Sequence, residues 1–302
     1  MKDAKPAARS SGAARGAALD RDRRCVLCSA PAVAAASGVG GYRICRVCDV
    51  AWRAIENPTD AAGDWERHYY GDEGIRELHE KRVSGLTALA RRITEISPSR
   101  GRLLDVGAGV GIFMEAMQRA GWSVEGVEPS RIAARSARER TGARVHEGLL
   151  EDLDLETSSF DALTFFDALR TVPDPLAFLR KARSLLRPGG VLIIREVHRK
   201  AERFREWAKA ARRQRVSAGR SACEFRQCFS PRSLLFAFEQ AGLTHAWVEP
   251  SPVYVEPDGV RSRWGTLVKQ ALGRASAAAY RISGRRVTLG PNLLAFGRAP
   301  DP

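Results

Sequence analysis

The residues able to do chemistry in this 302-residue chain fall into two sets. The first is an acid, a glycine loop and a second acid. Asp105 closes the apolar run Leu103-Leu104, and Val106-Gly107-Ala108-Gly109-Val110-Gly111 places glycine at every second position before Ile112-Phe113-Met114 opens a helix. Glycine lets the backbone turn sharply and lets a ligand approach it closely. The helix that follows presents unpaired N–H groups at its start. Further on, Val124 to Val127 reads as a strand ending on Glu128, with Pro129 and Ser130 after it. A carboxylate at that place can accept both hydroxyls of a ribose. The second set is Cys25, Cys28, Cys45 and Cys48, two C-x-x-C pairs with residues 29–44 between them. That spacing suits a tetrahedral zinc ribbon in which each pair chelates from one knuckle and the hairpin turns at Gly38, Gly40 and Gly41. A site of four cysteines has no open position, so the metal is expected to be structural, fixing a module too small for its own core. Disulfides are the alternative, disfavoured in a chain expected in the cytoplasm.

Alternating strands and helices must hold the first set. Ser130 is placed to cap a helix from Ile132 to about Arg140. A third strand near Ala143 to His146 leads into Glu147-Gly148-Leu149-Leu150-Glu151-Asp152, and a fourth, Phe160 to Phe166, ends at Asp167. Leu185-Leu186-Arg187-Pro188-Gly189-Gly190 reads as a helix end and a turn before a fifth strand through Ile194. Pro231 to Ala241 is the last core helix, with Ser230 as cap, proline at its first position and Gly242 as its stop. Leu243 to Val248 is the sixth strand, and Asn292 to Gly297 the seventh, antiparallel at the edge.

In this order over Arg102 to Ile194, the pieces resemble the class I S-adenosylmethionine-dependent methyltransferases. A dinucleotide-binding loop would read G-x-G-x-x-G; here the third glycine comes one position early, at Gly111. The resemblance implies an α/β fold, a seven-stranded doubly wound Rossmann-like sheet, here with a small N-terminal zinc ribbon. It implies that S-adenosylmethionine is bound by Asp105, Gly107, Ala108, Gly109, Gly111, Glu128, Pro129, Leu149, Leu150, Glu151 and Asp167. Leu149 and Leu150 would be apolar walls for adenine, and Glu151 or Asp152 a polar edge contact. A four-cysteine knuckle ahead of such a core is similar to a bacterial group that modifies sugars, polysaccharide units and natural products, including sugar C-methyltransferases. The implied acceptor is a small molecule or glycan precursor. In that group an aromatic stretch follows the knuckle, here Trp52 and Trp65 to Gly71 with Tyr69 and Tyr70, as a cover for the ligand or as packing.

Two departures touch the chemistry. Asp167 to Pro175 stands where relatives read D-x-L-E-H-V-x-D-P; Asp167, Val172, Asp174 and Pro175 agree, but Arg170 replaces Glu and Thr171 replaces His. A histidine there can take a proton from a hydroxyl acceptor, and Thr171 cannot. The His-x-x-x-Phe-Ser/Thr lead into the last helix appears as Phe225 to Ser230, again without its histidine. Three readings stay open. A base comes from His198, Glu196 or Asp167; or in-line placement of the nucleophile suffices without a strong base; or the protein binds cofactor without turnover. A zinc-module RNA methyltransferase is a further alternative, although the chain has no Asp-Pro-Pro-Tyr, Asn-Pro-Pro-Tyr or Pro-Cys signature.

The net charge of +14 favours an anionic partner: an anionic acceptor, RNA or an acidic membrane surface. No apolar run reaches the length of a membrane span, and the N-terminus lacks the apolar core of a signal peptide. The expected division is a disordered basic tail over 1–24, a zinc ribbon over 25–60 and a helical connector over 61–100. The methyltransferase domain then fills 101–302, with helical insertions at about 199–222 and 251–290. Phe204, Trp207, Ala208 and Ala211 mark the first insertion as a basic amphipathic helix over the ligand side of the sheet. Trp264, Leu267, Val268, Ala271, Leu272 and Ala275, flanked by Lys269, Arg274, Arg281, Arg285 and Arg286, mark the second. It is expected to dock on the core, with a dimer interface or peripheral membrane contact as alternatives. Cys223 and Cys228 read as ordinary thiols.

Overall fold

A computed structural model describes residues 24–31, 42–52, 85–97, 100–201, 227–252 and 263–301. The expected basic tail, the hairpin turn of the ribbon, the Trp65 to Gly71 stretch and nearly all of the first insertion lie outside them.

The described chain runs β1 (Arg43–Ile44), β2 (Ala51–Trp52), a helix α1 over 85–96, β3 (Arg102–Val106) and α2 (Ile112–Arg119). Then come β4 (Ser123–Glu128), α3 (Arg131–Thr141), β5 (Val145–Glu147), β6 (Phe160–Phe166), α4 (Pro175–Leu185) and β7 (Leu186–Val197). The rest is β8 (Gln227–Cys228), α5 (Pro231–Gln240), β9 (Thr244–Pro250), α6 (Arg263–Ile282) and β10 (Asn292–Arg298). Seven strands form one sheet in the order β5-β4-β3-β6-β7-β10-β9. The first five are mutually parallel, and β10 is antiparallel to both its neighbours.

The sequence pattern dictates this layering. Leu103 and Leu104 point to opposite faces, and both are fully buried because helices cover both sides, as parallel sheets require. Leu103 joins the core made with Ile93 of α1, Met114 and Met117 of α2 and Ala133, Ala134 and Ala137 of α3. Leu104 joins the opposite core with Phe178 and Leu179 of α4 and Leu234 and Phe238 of α5. Side chains start the helices: Ser130 accepts from the Ala133 amide, Asp174 from that of Ala177, and Ser230 and Ser233 form a reciprocal capping box around Pro231. Each such cap contributes about 1 kcal/mol.

Two expectations are corrected. The seventh strand is not at the edge: β10 inserts between β7 and β9, and β9 is the outer strand. The reason lies in Leu293-Leu294-Ala295-Phe296, a continuous apolar run that is wholly buried, whereas β9 is mostly half-exposed. The turn expected at Arg187 to Gly190 is absorbed into β7, whose pairing with β6 jumps from Phe160↔Leu186 to Ala162↔Val191.

A second, small sheet has the order β1-β2-β8. The N-terminal cysteine segment is thereby paired with a strand from the far side of the chain. Its buried Cys45, Cys48, Val50 and Trp52 belong to the same core as α4 and α5. Among the described residues, no helix is long and apolar enough to cross a membrane.

Candidate functional site

The loops after β3, β4 and β6 meet at the C-terminal edge of the sheet, where open α/β sheets place their ligands. The β3 loop is pinned by its amides: Gly107 and Ala108 donate to the Val127 carbonyl at 2.8 and 3.1 Å. Gly107, Gly109 and Gly111 all have positive φ, a conformation side-chain-bearing residues rarely adopt. Their surroundings differ. Gly107 is exposed, and a Cβ on it would come within 4.0 Å of Ala168 in the β6 loop. Gly111 faces α3, where a Cβ would meet the Ala137 backbone at 2.9 Å, so its small size lets α2 and α3 approach.

Glu128 ends β4, and its buried carboxylate is gripped at both oxygens. Gly109 N donates to Oε2 at 2.8 Å and Ser130 N to Oε1 at 2.9 Å. Asp105 lies beneath, buried, accepting from the Thr164 hydroxyl at 2.7 Å. Burial raises its carboxyl to about 7, with the Glu128 charge adding to the rise and the Thr164 bond opposing it. Beyond β5, Leu149 is exposed at the rim, while Leu150 turns into the core. Glu151, Asp152 and Pro129 are exposed.

The β6 loop carries a buried ionic cluster. Asp167 adopts a left-handed backbone and its carboxylate meets the guanidinium of Arg195. The Arg195 Nε donates to the Ser251 hydroxyl at 3.1 Å, and the side chain is almost wholly buried. Arg170 donates to the Asp167 carbonyl at 3.2 Å and stands 3.2 Å from the Glu196 carboxylate, which also accepts from the Arg170 amide. Burial pushes the Glu196 carboxyl up to about 7 even with Arg170 beside it. Sequence reasoning missed Arg195 and the pairing of Arg170; their signal was a pair of charges inside apolar strand ends. Thr171 is exposed, and its hydroxyl donates to the Ala168 carbonyl at 2.7 Å. His198 is buried, with Nδ1 placed to donate to the Gly290 carbonyl at 3.3 Å, and burial lowers its pKa.

The four N-terminal cysteines converge, their sulfurs all within 4.8 Å of one another. Cys25 and Cys48 approach to 3.4 Å, as do Cys28 and Cys45, and none is in a disulfide. Two like turns bring them there. The Ser29 amide donates to the Cys25 carbonyl and that of Asp49 to Cys45, with Ser29 and Asp49 both left-handed. This ribbon is tied to the sheet's ligand edge. Arg199 donates to the Asp49 carboxylate at 2.7 Å, the Ser230 hydroxyl to the Asp49 carbonyl at 3.3 Å, and Gln227 of β8 to the Val172 carbonyl at 3.0 Å.

Residues 78–246 match a family described as a methyltransferase domain. The chain is 40% identical over 146 residues to the ubiquinone biosynthesis O-methyltransferase of Xanthomonas campestris pv. campestris, covering 46% of this chain and 59% of that protein. It is 33% identical over 153 residues to the enzyme of the same name from Haemophilus ducreyi, covering 47% and 64%. It therefore spans about six-tenths of the length of these curated relatives. Its fold is similar to a solved S-adenosylmethionine-dependent methyltransferase from Thermotoga maritima, with a TM-score of 0.53 at 21% identity, covering 79% of this chain and 99% of that one.

Proposed function

Because the chain belongs to this family of methyltransferase domains, we propose that it transfers a methyl group from S-adenosylmethionine to a small-molecule acceptor by in-line displacement. The observation that carries the reading is Glu128, held by the Gly109 and Ser130 amides at the end of β4. An ionised carboxylate accepts at both oxygens and from several donors, so a carboxylate at this place suits the paired hydroxyls of a ribose. The exposed Leu149 would lie against adenine, and the exposed Gly107 leaves room for the ligand's amino-acid end. Asp105 and Asp167 set carboxyl groups on the side where a cationic cofactor would sit, the first able to lose its proton to such a charge and the second shared with Arg195. Leu150 and Gly111, buried or facing α3, support the pocket from behind.

When bound, the cofactor supplies a sulfonium methyl group. An acceptor lone pair would form the new bond to the methyl carbon while the carbon–sulfur pair returns to sulfur. The chain's part is chiefly placement, since alignment of reacting atoms supplies much of the barrier reduction. Of the three candidate bases, Asp167 and Glu196 face arginines. His198 is left as the candidate, because burial favours its neutral, proton-accepting form. The curated relatives are named for O-methylation, so an oxygen nucleophile is the acceptor to try first. The glycan-precursor acceptor expected from the sequence has no counterpart in those names.

We also propose that Cys25, Cys28, Cys45 and Cys48 hold one structural zinc ion. Zn–S bonds of about 2.3 Å in a tetrahedron put the sulfurs roughly 3.8 Å apart, within the span set by the 3.4 Å contacts and the 4.8 Å limit.

The test is calorimetric titration with S-adenosylmethionine and S-adenosylhomocysteine. The expected result is binding that Glu128→Ala and Glu128→Gln weaken by about 1–3 kcal/mol, read on variants whose near-ultraviolet circular dichroism matches that of the wild type. A wild-type protein that binds neither compound overturns the reading.

A further inference from the structure

Eight large apolar side chains are exposed among the described residues, and four of them, Leu272, Ile282, Val287 and Leu289, fall within one short stretch. Leu272 and Ile282 belong to α6, and Val287 and Leu289 to the segment that follows it. The helix is anchored by Ser276 and Tyr280, one turn apart and both buried. Its outward side carries a second apolar stripe: Ala271, Ala275, Ala278 and Ile282 recur at helical spacing and are all exposed, Ile282 to 86%. Arg274 and Arg281, two turns apart, run beside that stripe. Arg285 and Arg286 follow, where the Ser283 hydroxyl accepts from the Arg286 and Val287 amides and closes the turn. From Arg263 to Gly290 the sequence has six basic residues and no acid.

We propose that this outward face of α6, continued through Leu289, rests on an anionic bilayer surface. Apolar side chains bordered by arginines are the composition of a helix lying in the interfacial plane, with the apolar stripe at the acyl boundary and the guanidinium groups among the headgroups. A second copy of the chain is the poorer fit, because an isologous contact would set a segment with six basic residues and no acid against itself. RNA would use the arginines but leave the leucine and isoleucine side chains in water. The segment ends on Pro291 and Gly290, whose carbonyls accept from the His198 amide and ring. Docking is therefore continuous with the sheet edge that carries His198. The inference goes beyond methyl transfer and does not depend on it.

The experiment is co-sedimentation of the full chain with vesicles of phosphatidylcholine alone, and of phosphatidylcholine with about one third phosphatidylglycerol. Two variants accompany it, Ile282→Asp with Leu289→Asp, and Arg281→Glu with Arg286→Glu. All four positions are on the surface, and near-ultraviolet circular dichroism checks that the fold is kept. The expected result is binding to the anionic vesicles alone, reversed by salt, and weakened about tenfold or more by either double variant. Absence of binding to both vesicle types, or binding that survives both double variants, overturns the proposal. So does a wild-type dimer that Ile282→Asp with Leu289→Asp splits, which assigns the face to a second copy.

Discussion

Arg170 and Glu196 form a buried ion pair at 3.2 Å, one from the loop after β6 and the other from the end of β7. Arg170 also takes hold of the Asp167 carbonyl, and Asp167 meets Arg195. The arginine that departs from the relatives' pattern therefore comes with its own buried counter-charge. Its loss leaves a carboxylate stranded in the interior, the costly half of breaking such a pair.

Arg170→Ala is expected to lower unfolding stability by about 3–5 kcal/mol in mild alkali, around pH 9, where Glu196 is ionised in the folded wild type. The deficit should shrink as pH falls from there through about 7 and then level off, because Glu196 without its partner takes up its proton at a higher pH than in the wild type, which itself protonates it below about 7. Urea unfolding across that range checks this. A deficit that does not change with pH would sink the assignment of Glu196 as the stranded charge.

Asp105 predicts a second pH dependence. Its folded pKa, raised to about 7, lies above the unfolded value, so the native state binds the extra proton between them. Its contribution is fully present below about pH 4 and is lost as pH rises through about 7. Asp105→Asn does not titrate, so its stability relative to wild type should rise over that window. Cofactor titration at neutral pH should release protons from wild type and fewer from the variant, because a cation nearby favours the carboxylate. Equal proton release by the two proteins would disprove the coupling.

Zinc removal is expected to unfold more than the knuckles. Metal analysis of the purified protein should find one zinc per chain, lost on Cys45→Ser. Chelation should raise amide exchange at Gln227, Cys228 and Arg199, which lie far along the chain but are bonded to the ribbon. The parallel strands β3, β4 and β6 should stay protected. A protein without metal, or exchange confined to residues before Trp52, would refute the structural role.

The sheet was legible because its signals are local. The apolar run ending in Asp105, the glycine loop, the Ser130 cap and the Phe160–Phe166 strand each follow from neighbours within a few residues. The structure places Ile112 at the first turn of α2 and both ends of β6 as the sequence reading has them. What escaped depends on residues distant in sequence. The sequence could mark Arg170 as a departure but not join it to Glu196, and it had no means to pair Asp49 with Arg199. The place of β10 was within reach, since four consecutive apolar residues argue for neighbours on both sides.

The pairing of β2 with β8 also sets an order of events. Asp49 and Ser230 are 181 residues apart. A ribosome making this chain releases the cysteine segment first and the strand that completes its sheet only after most of the parallel core has emerged. The ribbon can gather a metal ion early, yet it reaches its final seat only when β8 arrives. Closing so long a loop is slow relative to local folding, so the cysteine module is synthesised well before its partner strand and is among the last parts to be fixed in place.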